Sequence, residues 1–217
     1  MTRFDDEFYR DILAGLAVHF DSDFLRDILA TLTQHQEPGI GVALNRNQMA
    51  SKRWLADTLH AVAGGRHRTV AILGGWIGVL AAVLLHDRRF DIERVVSFDI
   101  DPRCAPVAEA LNASHVRTGR FEARTADMRE IDYAALRADL LVNTSCEHVA
   151  GFDGWYARVP AGQQLVLQSN DYVAVAEHVN CVPGLAAFHA QAPMRDVLFA
   201  GERSMRRYVR FMLIGRK

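Results

Sequence analysis

The stretch 69-TVAILGGWIGVLAAVLL-85 decides how this chain folds. TVAIL reads as a buried strand, Gly74-Gly75-Trp76-Ile77-Gly78 as a tight turn, and the apolar run behind it as a helix over 77–87. Further along, short apolar runs alternate with helical stretches. Strands are predicted at 69–73, 94–99, 121–125, 139–144, 163–169, 195–201 and 208–215, and further helices at 103–113 and 151–157. Strands separated by helices call for a parallel sheet covered by helices. The last two runs are joined only by GERSMRR, a hairpin-sized connection, so the final strand should run antiparallel.

The N-terminal part reads differently. Phe4, Phe8, Ile12, Leu13 and Leu16 recur at helical spacing. Asp21-Ser22-Asp23 offers an N-cap to FLRDILATL. EPGIGVALNRNQ is predicted to be a loop, and MASKRWLADTLHAVAG a helix closed by Gly64-Gly65. The expected fold is α/β: a mostly parallel seven-stranded doubly wound sheet with an antiparallel last strand. An N-terminal helical cap, residues 1–66, precedes the sheet domain, residues 67–217, in one compact unit.

Composition narrows the function. The 217 residues are 50% hydrophobic and 24% charged, as in ordinary globular chains. A net charge of −1 provides no global field toward nucleic acid or anionic membrane. Cys104, Cys146 and Cys181 are far apart and form no CxxC pair, so neither a zinc knuckle nor a disulfide framework is indicated. The acidic N-terminus lacks a signal-peptide core, and the longest apolar run is broken by glycines. A cytoplasmic protein without a membrane or nucleic-acid partner is expected, and a homodimer is left open.

In an open parallel sheet, ligands bind beyond the carboxyl ends of the strands, so the first strand-to-helix turn is the place to look. Its glycines allow close backbone approach, and the next helix presents free amides. The second strand ends 95-VVSFDIDP-102, where Asp99 can accept both hydroxyls of a ribose. Asp101 better suits a helix cap. After the third strand, 125-TADMRE-130 places Asp127 where an acid can accept from an adenine amino group, or serve as a loop acid or cap. GGWIGV does not fit the GxGxxG of a nicotinamide site.

Glycine loop, second-strand acid, third-strand acid and closing antiparallel strand together resemble the class I S-adenosylmethionine-dependent methyltransferases, over roughly residues 67–217. The resemblance implies a Rossmann-like domain and S-adenosyl-L-methionine as cofactor. It assigns the methionine part to the loop at Gly74, Gly75 and Gly78, the ribose to Asp99 and the adenine to Asp127. Two positions depart from the family pattern. Ile72 stands where an acid usually precedes the loop, and Trp76 replaces the middle glycine, where it either walls the pocket, the preferred reading, or blocks close approach and marks a degenerate site.

The resemblance also places the end of the fourth strand, 139-DLLVNTSCEH-148, beside the methyl group and acceptor. Asn143 is assigned to the cofactor and Ser145 to the acceptor. Glu147 and His148, with His178 in reserve, are candidate bases; capping or salt-bridging the next helix is the structural alternative. A thiolate role for Cys146 would need an electropositive, open setting. The fifth strand ends in Gln168, Ser169, Asn170, Asp171 and Tyr172, a dense set of donors and acceptors read as substrate contacts or as a self-ordering loop. Glu147-His148 and Glu177-His178 suggest a metal pair on paper, but the spacing matches no known site type, and no metal is expected. Lys52 or Arg46 can meet a carboxylate of cofactor or substrate, a solvated helix face being the structural alternative. Arg203, Arg206, Arg207 and Arg210 read as an exposed strand edge.

The sequence therefore predicts methyl transfer to a small-molecule acceptor. The rivals are an aminocarboxypropyl transferase of nicotianamine-synthase type using the same cofactor, a non-catalytic methyltransferase-like binding subunit, and an RNA methyltransferase.

Overall fold

The computed structural model describes residues 6–35 and 39–217. Phe4 and the start of the predicted 37–48 loop lie outside them.

Four helices come first: α1 (Asp6–His19), α2 (Asp23–Gln34), α3 (Gly39–Ala43) and α4 (Arg46–Ala63). The Ser22 side chain caps α2 by accepting from the Leu25 amide at 3.3 Å. Asn45 caps α4 in the same way, and Gly64, at φ 76°, ends it. The predicted loop is thus partly helical: Gly39–Ala43 forms a short helix whose Ile40 and Ala43 are buried. Its two glycines hid that helix from propensity.

The sheet then builds in order: β1 (Arg66–Leu73), α5 (Val79–His86), β2 (Asp91–Asp99), α6 (Cys104–Leu111), α7 (Ala113–Arg117), β3 (Phe121–Thr125), α8 (Tyr133–Leu136) and β4 (Leu140–Asn143). A 3-10 turn at Cys146–His148 leads to α9 (Phe152–Arg158), β5 (Gln164–Asn170), α10 (Leu185–Gln191), β6 (Asp196–Ser204) and β7 (Val209–Arg216). All seven predicted strands exist, with ends moved by at most three residues and β3 as predicted. The spatial order is β3-β2-β1-β4-β5-β7-β6. β1 to β5 pair in parallel, and β7 is antiparallel to both β5 and β6. The chain reverses its direction of travel across the sheet between β1 and β4, the switch point where such sheets bind ligands.

Alternation along the strands makes two cores. Ala71, Leu73, Val96, Phe98, Leu141 and Leu167 face one side, against Phe152, Trp155 and Phe188. Val70, Ile72, Val95, Leu140 and Val142 face the other, against Leu55 and Leu59 of α4 and Leu80 and Leu84 of α5. Period-two strands buried on both faces give the continuous apolar runs seen in the sequence. Because α4 is a full layer of this sandwich, the N-terminal segment is more than a cap. Its first turns still reach the switch point, which is what brings Lys52 to the site.

Candidate functional site

A cavity of about 960 Å³ opens over the carboxyl ends of β1, β2, β4 and β5. That is at the upper end of ordinary ligand pockets. Gly74, Gly75, Trp76, Asp99, Asp127, Ser145, Glu147, His148, Asn170, Tyr172, His178 and Lys52 all line it. Four predicted site residues, Gly78, Asn143, Gln168 and Asp171, do not.

The loop's glycines do different jobs. Gly74 has φ 62°, and an added Cβ would sit 3.3 Å from Ser145 Cβ. At Gly75 a Cβ would fall 2.0 Å from Ser97 Oγ on β2, so any larger residue requires Ser97 to move. Gly78, at φ 76°, would meet Asn112 Nδ2 at 2.7 Å and Ala108 Cβ at 3.0 Å. Its carbonyl accepts from Asn112 Nδ2, so Gly78 lets α5 and α6 approach rather than touching a ligand.

Trp76 keeps the left-handed conformation that the middle glycine of such a loop would supply, with φ 49°. A side chain there costs about 1–2 kcal/mol. Two contacts hold it. Its amide donates to Asp99 Oδ2 at 2.8 Å, and its ring packs on α3, close enough that a Cβ on Gly39 would be 3.2 Å from it. The indole is a wall of the cavity and a tie to the N-terminal helices, with Ile40, Ile77 and Val79 around it.

Asp99 ends β2 at the rim. Oδ2 takes the Trp76 amide and Oδ1 the Asp101 amide at 3.0 Å. A carboxylate has about four acceptor positions, so capacity remains on this cavity-lining group beyond the two amides and the neighbouring Cys104 thiol. Asp127 also faces the cavity, its side chain 17% exposed and paired with Arg129 at 2.6 Å. That guanidinium holds the Asp127 carboxyl below its ordinary range. Asp101 pairs with Arg103 at the surface and accepts that residue's amide.

On the β4 side, Asn143 is fully buried, and its side-chain Oδ1 accepts from the Ser145 amide at 2.8 Å. It shapes the turn instead of lining the cofactor surface. Ser145 Oγ lies 3.4 Å from the Gly74 carbonyl, so the residue sits against the loop itself. Cys146 is fully buried, and burial pushes its thiol well up, away from any nucleophilic use.

Glu147 is 3% exposed. Its Oε1 accepts from Arg210 Nη1 at 2.8 Å and Asn170 Nδ2 at 2.7 Å. Arg210, predicted to be exposed strand edge, is instead 8% exposed inside the cavity wall. Its strand, β7, runs between β5 and β6, so the residue opposite Asn170 faces the switch point. Arg210 also donates to the Thr144 carbonyl and to Gln168 Oε1. Gln168, which also accepts from Ser51, therefore supports Arg210 from behind. Asp171 accepts the Val209 amide at 2.8 Å and fixes the start of β7.

The loops after β4 and β5 fold together. The Asn180 amide donates to the Glu147 carbonyl at 2.8 Å, and Asn180 Nδ2 to the Cys146 carbonyl at 2.9 Å. This brings the His148 and His178 rings to 4.6 Å, edge to face. Tyr172 and Tyr208 stack at 5.6 Å beside His178, giving an aromatic wall. From α4, Lys52 Nζ donates to Gln48 Oε1 at 2.8 Å. Among the described residues it has no carboxylate partner. Burial, and then the charge of Arg210, pushes its ammonium down to about 7.

No family model matches the chain, and no curated protein matches it in sequence. Solved structures do match in shape. The N-methyltransferase NodS from Bradyrhizobium japonicum WM9, in complex with S-adenosyl-L-homocysteine, aligns with TM-score 0.60 at 13% identity, over 89% of this chain and 97% of that one. An O-methyltransferase family protein from Burkholderia thailandensis aligns with TM-score 0.54 at 18% identity, over 92% of this chain and 62% of that one. The N-terminal domain of EvdMO1, with S-adenosyl-L-homocysteine bound, aligns with TM-score 0.53 at 16% identity, over 81% and 83%. Strand order, the antiparallel β7 and these alignments agree: the chain has the fold of the class I S-adenosylmethionine-dependent methyltransferases.

Proposed function

We propose that the protein is an S-adenosyl-L-methionine-dependent methyltransferase acting on a small-molecule acceptor. One observation carries this reading: the glycine loop, the acid that ends β2, the acid in the loop after β3 and a lysine without a carboxylate partner converge on one cavity at the switch point. The cofactor supplies an electrophilic methyl group when bound. Gly74 leaves room for its methionine part, the open acceptor positions of Asp99 suit ribose hydroxyls, and Asp127 suits the adenine amino group. Lys52, whose ammonium burial pushes down to about 7 with no carboxylate partner among the described residues, would have its charge restored by the cofactor's carboxylate. Neighbours solved with S-adenosyl-L-homocysteine support the choice of cofactor.

The acceptor side is formed by Glu147, His148, His178, Asn170 and Tyr172, with Tyr208. Methyl transfer is a displacement, so what this wall contributes is alignment and exclusion of water. A histidine whose Nδ1 hydrogen is held by a carbonyl can receive a proton at Nε2. The aromatic pair favours a small acceptor over a polymer, as does a net charge of only −1.

Calorimetric titration with S-adenosylmethionine, S-adenosylhomocysteine and NAD tests the cofactor. Saturable binding of the first two and not NAD is expected; no binding of them to folded protein would leave a binding subunit. Product analysis then separates the reactions. S-adenosylhomocysteine marks methyl transfer, and methylthioadenosine would mark aminocarboxypropyl transfer.

A further inference from the structure

Three side chains on the acceptor wall form a group that acid–base catalysis does not require. One ligand-capable atom from each of Glu147, His148 and His178 lies within 4.8 Å of the others. Their sequence spacing follows no known pattern because two neighbouring loops bring them together.

The details match those of a metal centre. His148 Nδ1 is 3.1 Å from the Glu177 carbonyl, and His178 Nδ1 is 2.6 Å from the Tyr172 carbonyl. A carbonyl only accepts, so each Nδ1 carries a hydrogen; a ring in its neutral form then has its lone pair on Nε2, where a bound ion would take the place of a proton. Metal-binding histidines are commonly oriented in this way, by a backbone carbonyl on the other nitrogen. Glu147 supplies the third donor. Its Oε1 is occupied by Arg210 and Asn170, while Oε2 is buried with no hydrogen-bond partner. A buried carboxylate oxygen without a partner is costly. A cation would resolve it.

We propose that Glu147 Oε2, His148 Nε2 and His178 Nε2 bind a first-row divalent transition ion, with zinc as the reference case. Two imidazoles and one carboxylate favour zinc, iron or cobalt over magnesium or calcium. Donors sharing an ion at about 2.0–2.2 Å sit roughly 3–3.5 Å apart, so the triad must close by about 1.5 Å. His148 and Glu177 are both exposed, so the pair can shift together and keep the hydrogen bond that orients the ring. Arg210 neutralises the charge of Glu147 in part, and Glu177 adds a further acidic residue at the cavity border. Three protein ligands leave positions open to the cavity. On the methyl-transfer reading, those positions take an oxygen or nitrogen of the acceptor.

The test uses the metal alone and so does not depend on cofactor binding. The full chain is stripped with a chelator, dialysed, and titrated with zinc and, separately, with cobalt. Expected are one equivalent of saturable binding and a cobalt d–d spectrum without a sulfur-to-cobalt charge-transfer band. His148→Ala and His178→Ala, each checked for folding by circular dichroism, should weaken binding at least about 100-fold, beyond what outer-sphere partners control. His189→Ala, at an exposed position on α10, should change nothing. Absence of saturable binding, a thiolate band pointing to Cys181, or binding indifferent to both histidine substitutions would overturn the proposal. Cofactor titration of the same samples reports separately on the methyltransferase reading.

Discussion

Replacing Arg210 with methionine should be among the most damaging single changes at this site. Arg210 is 8% exposed and Glu147 3%. The substitution removes the 2.8 Å ion pair, the bond to the Thr144 carbonyl and the 3.4 Å contact with Gln168. Glu147 is left buried and charged, with Asn170 as its hydrogen-bond partner. Breaking a buried pair from one side costs about 3–5 kcal/mol. At about 2–4 °C per kcal/mol for a domain of this size, Tm should fall by roughly 6–20 °C. Glu147→Gln in the same background removes the unpaired charge and should return about 2 kcal/mol of this. Urea unfolding of the wild type, Arg210→Met and the double variant at pH 7, followed by circular dichroism, gives both numbers. A loss under about 1 kcal/mol, or no recovery in the double variant, would show that the pair behaves like a solvated surface bridge and would refute its structural role.

Other predictions follow from single contacts. Gly75→Ala should destabilise the loop, because its Cβ meets Ser97 Oγ at 2.0 Å; Ser97→Ala should rescue it, since the next contacts are at 3.4 Å, and thermal melts of the pair decide. Lys52 gives a pH signature. The unfolded chain keeps this proton to about 10.5 and the folded chain only to about 7, so the unfolded state binds more protons between them and stability rises with pH across that window. Lys52→Met should flatten the rise in urea midpoints measured from pH 6 to 10, and an unchanged slope would remove the assignment. Asp99→Ala should weaken S-adenosylhomocysteine binding at least about 10-fold by loss of a charged acceptor. It should also loosen the loop, because Asp99 holds the Trp76 amide. Full affinity in a folded variant would rule out Asp99 as a ligand contact.

The path of the chain was readable because its signals are local. TVAIL, Gly64-Gly65 and Ser22 each act through neighbours a few residues away, and each sits in its expected element. The cavity's glycines and acids were readable for the same reason: they punctuate strand ends. What local reading missed depends on the order of strands in space. Arg210 looked like an edge charge because nothing in YVRFMLIG says that β7 is inserted between β5 and β6. Glu147, His148 and His178 looked unrelated in spacing because their loops meet through Asn180, more than thirty residues from Cys146. Asn143, Gln168 and Asp171 were overread for the opposite reason. Polar residues at strand ends also satisfy backbone amides and neighbouring side chains, and these three do so from outside the cavity. At Trp76 a residue contrary to the loop pattern kept the backbone conformation that the pattern encodes.

The central claim, that the cavity over β1 and β4 is a cofactor site, is tested most directly by a crystal structure with S-adenosylhomocysteine. The account predicts ribose hydroxyls on Asp99, the adenine beside Asp127, the carboxylate at Lys52 and the sulfur facing the wall of His148 and His178. Ligand density elsewhere, or a ribose that does not touch Asp99, would contradict it.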